Sequence, residues 1–206
     1  MRADAVRNRE RIVDAARELF VESGGEVPLD EVARRAGVGN ATVYRHFADR
    51  DALVRDVVLA VTERVANRAQ RALDALDAPG GGEPFEALRA FVSGAMDERV
   101  GALCPALSPR FGSGDAELVR QRERLEALVG ELLGRTQRAG AVRADVGVGD
   151  LLVVISQLTR PLPGAGCARF ERFIARHVQL FLDGLRAPAP SRLPGTPATL
   201  EGLRQT

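Results

Sequence analysis

Apolar residues recur three and four positions apart along most of this chain, and polar residues fill the spaces between them. Residues 7–22 place Ile12, Ala15, Ala16, Leu19 and Phe20 on one stripe, which predicts an amphipathic helix. Ser23-Gly24-Gly25 ends it, because glycine tolerates the left-handed conformation that closes a helix. Pro28 suits the first turn of a second helix, Leu29 to Ala36, which Gly37 stops. A third short helix is expected from Asn40 to about Phe47. A long fourth one starts near Asp49, whose carboxylate can cap it, and runs to about Leu76. Leu53, Val57, Val61, Val65 and Leu73 give that helix one apolar side.

Pro79 and Gly80-Gly81-Gly82 then break the pattern. The glycine run is a linker, since no strand precedes it and no Gly-Lys-Ser/Thr follows, as a phosphate loop requires. Helical spacing returns with Phe85, Leu88, Phe91, Val92, Ala95, Met96, Arg99 and Val100. Cys104-Pro105 and Ser108-Pro109 interrupt it, because the residue before proline disfavours the helical region. Leu118, Leu125, Leu128, Leu132 and Leu133 carry a helix over 115–139, and two more are expected over 149–160 and 167–185. No strand-like alternation of useful length appears. After Leu185 the chain is rich in proline and is expected to be loosely ordered. The fold class is therefore all-α, with about nine helices.

Composition narrows the function by exclusion. Aromatic residues make up 4% of the chain, with no Trp and one Tyr, which argues against carbohydrate-binding or base-stacking surfaces. The net charge is +1, and all 29 basic residues are arginine. Residues 1–50 carry as many acidic as basic groups, so charge alone gives no support for nucleic acid. A DNA-binding face has to come from how the arginines are arranged. No apolar run is long enough to span a membrane, and the charged first residues lack the apolar stretch of a signal peptide, so the expected compartment is the cytoplasm. Cys104 and Cys167 do not make a disulfide framework, and His46 and His177 lie far apart. With no metal spacing, nucleophile elbow or phosphate loop, neither an enzyme nor a cofactor is expected.

The positive signal is local. Two short helices joined by a tight glycine-containing turn form a helix-turn-helix, whose second helix can enter the major groove. Val43 and Phe47, four residues apart, face a small core, leaving Asn40, Ala41, Thr42, Tyr44, Arg45 and His46 outward. The stretch Leu29-Asp30-Glu31-Val32-Ala33, then Gly37 through Phe47, then Asp49-Arg50-Asp51-Ala52-Leu53, resembles the DNA-binding domain of TetR family repressors. The resemblance covers roughly residues 8–55. It implies phosphate contacts from Thr42, Tyr44 and His46, and another from Arg50, where the family usually has lysine. Asn40, Ala41 and Arg45 would then be the base readers. Pro28 departs from the family pattern, which often has a threonine there, and proline has no hydrogen to donate. Arg7, Arg9 and Arg11 near the start of the first helix are either a solvated face or a grip on phosphate.

The same resemblance implies that the remaining helices bind a small molecule and pair two copies of the chain. Leu151-Leu152-Val153-Val154-Ile155 is apolar all round and must be buried on more than one side. Phe170, Phe173, Ile174, His177, Leu180 and Phe181 form a stripe on the last helix. The candidate dimer interface is Leu151, Val154, Ile155, Leu158, Phe170, Phe173, Ile174, His177 and Phe181. The candidate effector pocket is Phe91, Met96, Leu103, Cys104, Phe111, Leu125 and Leu128, with Arg99 as a cation for an acidic effector. The expected domains are residues 1–50 for DNA, 51–186 for effector binding and dimerisation, and 187–206 as a proline-rich tail. The expected function is a homodimeric regulator that represses from a palindromic double-stranded operator and is released by a small molecule. A redox regulator using Cys104 and Cys167, and a DNA-binding protein without sensing, are the alternatives.

Overall fold

The computed structural model describes residues 2–23, 27–103, 115–160 and 167–199, with side chains over 4–22, 27–103, 115–160 and 173–199. Gly24-Gly25, Cys104, Phe111 and the side chains of Cys167 and Phe170 therefore lie outside the described residues. The described chain is all-α. Its helices are α1 Arg2–Ser23, α2 Leu29–Ala36, α3 Asn40–His46, α4 Arg50–Asp77 and α5 Pro84–Asp97. They continue with the single turn α6 Val100–Leu103, then α7 Ala116–Arg138, α8 Val148–Leu158 and α9 Cys167–Leu185. No helix among the described residues is long and apolar enough to cross a membrane. Two compact units emerge, Met1–Val61 with Ala102–Val119, and Thr62–Gly101 with Arg120–Thr206.

In the first unit, Ile12, Leu19 and Phe20 of α1 are buried with Val32 and Ala33 of α2, Val43 of α3, Phe47, and Leu53 and Val57 of α4. Burying this set removes several large apolar side chains from water, at roughly 1.5–3 kcal/mol each. Polar contacts then set the angles. Gly37 has φ 64°, and the amides of Gly37 and Val38 return to the carbonyls of Arg34 and Ala33, closing α2. Arg11 supports the same helix end by donating to Ala36 O at 2.6 Å. Arg9 lies over the Phe47 ring at 4.7 Å, donates to His46 O at 3.2 Å and pairs with Asp56. Arg9 and Arg11 thus stitch the helix-turn-helix together. As expected, Asp49 caps α4 by accepting from Ala52 N at 2.7 Å.

Asp115 does two jobs at the start of α7. Its carboxylate accepts from Glu117 N and Leu118 N, and it pairs with both Nε and Nη2 of Arg55. The Arg55 guanidinium and those amides hold the acid down to about 2, below its ordinary 3.8. A depressed carboxylate stabilises the fold above its unfolded pKa and loses that contribution as protons bind below it. Stability should therefore fall as pH drops from about 4 towards 2. Asp115→Asn should melt earlier at neutral pH and show a shallower loss across that window in thermal melts.

The second unit is built on Phe85, Leu88, Phe91 and Val92 of α5, Val129, Leu132 and Leu133 of α7, Leu151 and Ile155 of α8, and Val178 and Leu182 of α9. Gly101 lets α6 touch α8. A Cβ there would stand 1.8 Å from Ser156 O, and the Gly101 amide donates to Thr159 Oγ1 at 2.8 Å. Glu98 is buried and held by two arginines of α4, with Arg64 Nε at 2.9 Å and Arg68 Nη2 at 2.8 Å. Arg68 reaches it by crossing Gly94, where a Cβ would come within 2.7 Å of the guanidinium.

The tail corrects an expectation. Residues 186–199 are not loose but form a strap folded onto the turn between α7 and α8. Arg143, itself buried, pairs with Asp145 and donates to Ser191 O at 2.7 Å. Leu193 N donates to Asp145 at 3.0 Å, and Gly149 N donates to Ala198 O at 2.9 Å. Arg186 lies 3.7 Å from the centre of the Phe85 ring. The close approach depends on glycine, since a Cβ on Gly149 would stand 2.4 Å from Ala198 O.

Candidate nucleic-acid interface

Helix α3 begins at Gly39, whose carbonyl accepts from Thr42 N at 2.8 Å, and ends where Phe47 N returns to Val43 O at 2.9 Å. Val43 and Phe47 are both buried, as their spacing predicts, so the rest of the helix faces outward. Asn40, Ala41, Tyr44 and Arg45 are exposed, and Thr42 and His46 are half-buried. Tyr44 is 55% exposed, so it is not a core aromatic. An outward phenol, hydroxyl, imidazole and guanidinium on one short helix form a donor surface suited to phosphates and base edges.

The neighbours of these side chains matter as much as their types. Arg45 Nη2 lies 3.3 Å from Thr42 Oγ1, so the guanidinium is folded along its own helix. Asn40 donates its amide to Asp30 of α2 at 2.9 Å. The guanidinium of Arg50, in the first turn of α4, lies 5.8 Å from the centre of the Phe20 ring. Pro28 precedes α2 with its carbonyl accepting from Glu31 N and Val32 N, and it offers nothing to a phosphate. Asp30, Arg9 and Arg11 carried no helical-period signal; their partners lie 10, 37 and 25 residues away.

Residues 12–57 match the model of the bacterial regulatory proteins of the tetR family, and residues 83–187 match that of the SbtR-like transcriptional regulator C-terminal domain. The chain belongs to the TetR family. A TetR transcription regulatory protein from Mycobacterium vanbaalenii is 36% identical, with a TM-score of 0.62 over 90% of this chain and 99% of that one. A TetR regulator from Streptomyces coelicolor is 27% identical, with a TM-score of 0.65 over 88% and 99%. LfrR from Mycobacterium smegmatis, solved with proflavine, shares the fold at 23% identity and a TM-score of 0.59, over 91% and 99%. An HTH-type transcriptional regulator of Staphylococcus aureus is 44% identical over 54 residues, 26% of this chain and 29% of that relative. The chain thus spans less than a third of the length of such curated relatives.

The tetR family match over residues 12–57 spans α2 and α3, and the helices beyond α4 carry the other candidate residues of this TetR-family transcriptional regulator. The structure divides them. Met96 and Arg99 line a cavity of about 340 Å³ between α5 and α9, together with Arg89, Ser93, Val178 and Leu182. Phe91 lines a different one, of about 320 Å³, between α4 and α5. Leu103 is buried, while Leu125 and Leu128 are half-buried on α7 and line neither. Arg99 is corrected in one respect. It does not continue the α5 stripe, because α5 ends at Asp97, Glu98 caps it, and Arg99 has φ 52°. The buried carboxylate of this region is Glu98, and arginines from α4 answer it.

On α8, Leu151 and Ile155 are corrected as dimer residues, because both are fully buried within the protomer. Val154 and Leu158 are half-buried. On α9, Phe173 and Leu180 are 57% and 59% exposed. His177 is exposed one turn beyond Phe173 and donates from Nδ1 to Phe173 O, and Ile174 and Phe181 are half-buried beside them. Val178, Leu182 and Leu185 face inward instead. The helix is therefore apolar on two adjoining faces, one of which the described residues leave uncovered.

Proposed function

We propose that this regulator is a repressor that grips a palindromic operator as a homodimer and releases it when a small-molecule effector binds its C-terminal helices. The observation that carries the reading is the uncovered apolar face of α9, with Phe173 and Leu180 more than half exposed. Large apolar side chains grouped on one helix face are costly to leave in water and mark an association surface. Two copies paired through α9, with Val154 and Leu158 of α8, would make an isologous interface with two-fold symmetry. Two-fold symmetry places two α3 helices on successive major-groove faces, and a palindromic site answers that arrangement. Thr42, Tyr44, His46 and Arg50 then hold phosphates, while Asn40, Ala41 and Arg45 meet bases.

The cavity between α5 and α9 supports an effector with an apolar body and an acidic group. Met96, Val178 and Leu182 line it together with Arg89 and Arg99. The fold shared with LfrR, which was solved with proflavine, supports a small molecule as the signal. Such a ligand can weaken operator binding only by its difference in affinity for the two states of the dimer.

Selection from random duplex DNA should return an inverted repeat. Phe173→Glu with Leu180→Glu should sediment as a monomer and bind that repeat about 10²–10⁴-fold more weakly, the factor lost when two linked contacts become independent. A doubly substituted protein that stays dimeric, or a monomer that binds as tightly as before, refutes the dimer reading.

A further inference from the structure

Asp30 and Asn40 are brought together by the turn between α2 and α3, at the exposed edge of the reading head. An ionised carboxylate can only accept hydrogen bonds. The amide of Asn40, 2.9 Å away, therefore turns its NH2 toward Asp30 and its oxygen away from it. The pair presents acceptor atoms on a surface whose other outward groups, Tyr44, Arg45 and His46, are mainly donors.

We propose that Asp30 is a specificity-determining residue: it fixes the Asn40 amide so that the pair selects the amino-bearing base at one position of each half-site. The proposal rests on the reading of α3 as the helix that meets base edges. In the major groove every base pair shows one amino group and one keto oxygen. The amino group is N6 of adenine or N4 of cytosine, and the keto oxygen is O4 of thymine or O6 of guanine. Acceptors held against that edge attract the amino group and repel the oxygen. They would distinguish A·T from T·A and C·G from G·C, while telling adenine from cytosine poorly. The choice is thus which strand carries the amino base. Asp30 also places a negative charge near the phosphates, which lowers affinity for every sequence alike. Selectivity gained at the expense of general affinity is the signature that separates this role from a merely structural one.

The test compares wild type, Asp30→Asn and Asn40→Ala by selection from random duplex DNA, followed by titration of the selected repeat. The paired titration uses the same repeat with one base pair per half-site inverted. Wild type should prefer one orientation of that pair by about five- to a hundredfold. Asp30→Asn, whose side chain can donate as well as accept, should lose most of that preference, bind random DNA more tightly and leave the other positions unchanged. Asn40→Ala should lose the preference without the general gain. An unchanged Asp30→Asn profile, or one degraded equally at every position, overturns the proposal. A wild type that selects no repeat at all overturns the base-reading role of α3 itself.

Discussion

Phe47→Ala is expected to unfold the helix-turn-helix, at a cost of about 3–5 kcal/mol for a buried phenylalanine cut back to alanine. Phe47 is 1% exposed and closes α3 against the α1–α2 core. The loss extends beyond packing, because the Arg9 guanidinium stacks on that ring while reaching His46 O and Asp56. Removing the ring frees an arginine that holds the end of α3 to α1 and α4. Amide exchange should show protection lost first over residues 10–57, with operator binding abolished at temperatures where the C-terminal helices still resist exchange. Phe47→Leu, which keeps most of the volume, should lose less than about 1.5 kcal/mol and retain binding. Equal protection in wild type and Phe47→Ala would show that the ring does not carry the helix-turn-helix.

Gly101→Ala is expected to be the most damaging single change in the second unit. The added carbon would meet Ser156 O at 1.8 Å and Arg160 N at 2.7 Å. Both obstacles are helix backbone, so no rotamer relieves the clash, and α6 and α8 have to separate. Overpacking a core costs about 1–3 kcal/mol and occasionally more, and a backbone collision belongs at or above the top of that range. Separation also strips the Gly101 amide of its bond to Thr159. Thr159→Val isolates that second loss: it leaves a buried donor unmet without any clash, at about 1–3 kcal/mol. Thermal melts should therefore rank Gly101→Ala below Thr159→Val, and Thr159→Val below wild type. A Gly101→Ala protein as stable as wild type would mean that the two helices are not in contact.

The helices and the helix-turn-helix were legible because both depend on local signals. Val43 and Phe47 point inward for the same reason that four residues make about one helical turn, and Gly37 stops α2 because its conformation is cheap only for glycine. What escaped was settled by partners distant in sequence. Arg9 and Arg11 read as a charged start to a helix, yet their acceptors belong to α3 and α2. Nothing near Glu98 in the sequence announces that Arg64 and Arg68 converge on it. Arg99 kept the right spacing, but periodicity carries no information about a residue that has turned to positive φ. The apolar run on α8 was visible, whereas the division between inward Leu151 and Ile155 and the half-covered Val154 and Leu158 needed the neighbouring helices.

The strap has a consequence for how this terminus can change over generations. A proline-rich end ordinarily drifts freely in length, since nothing measures it. Here Ser191, Leu193 and Ala198 each meet a fixed partner: Arg143, Asp145, and Gly149 with Asp150. One residue gained or lost between Ser191 and Ala198 would put the Ala198 carbonyl out of register with the bare backbone at Gly149. Codons for 186–199 are thus constrained in number as well as in kind, and Gly147 and Gly149, both pressed against Ala198, are constrained along with them.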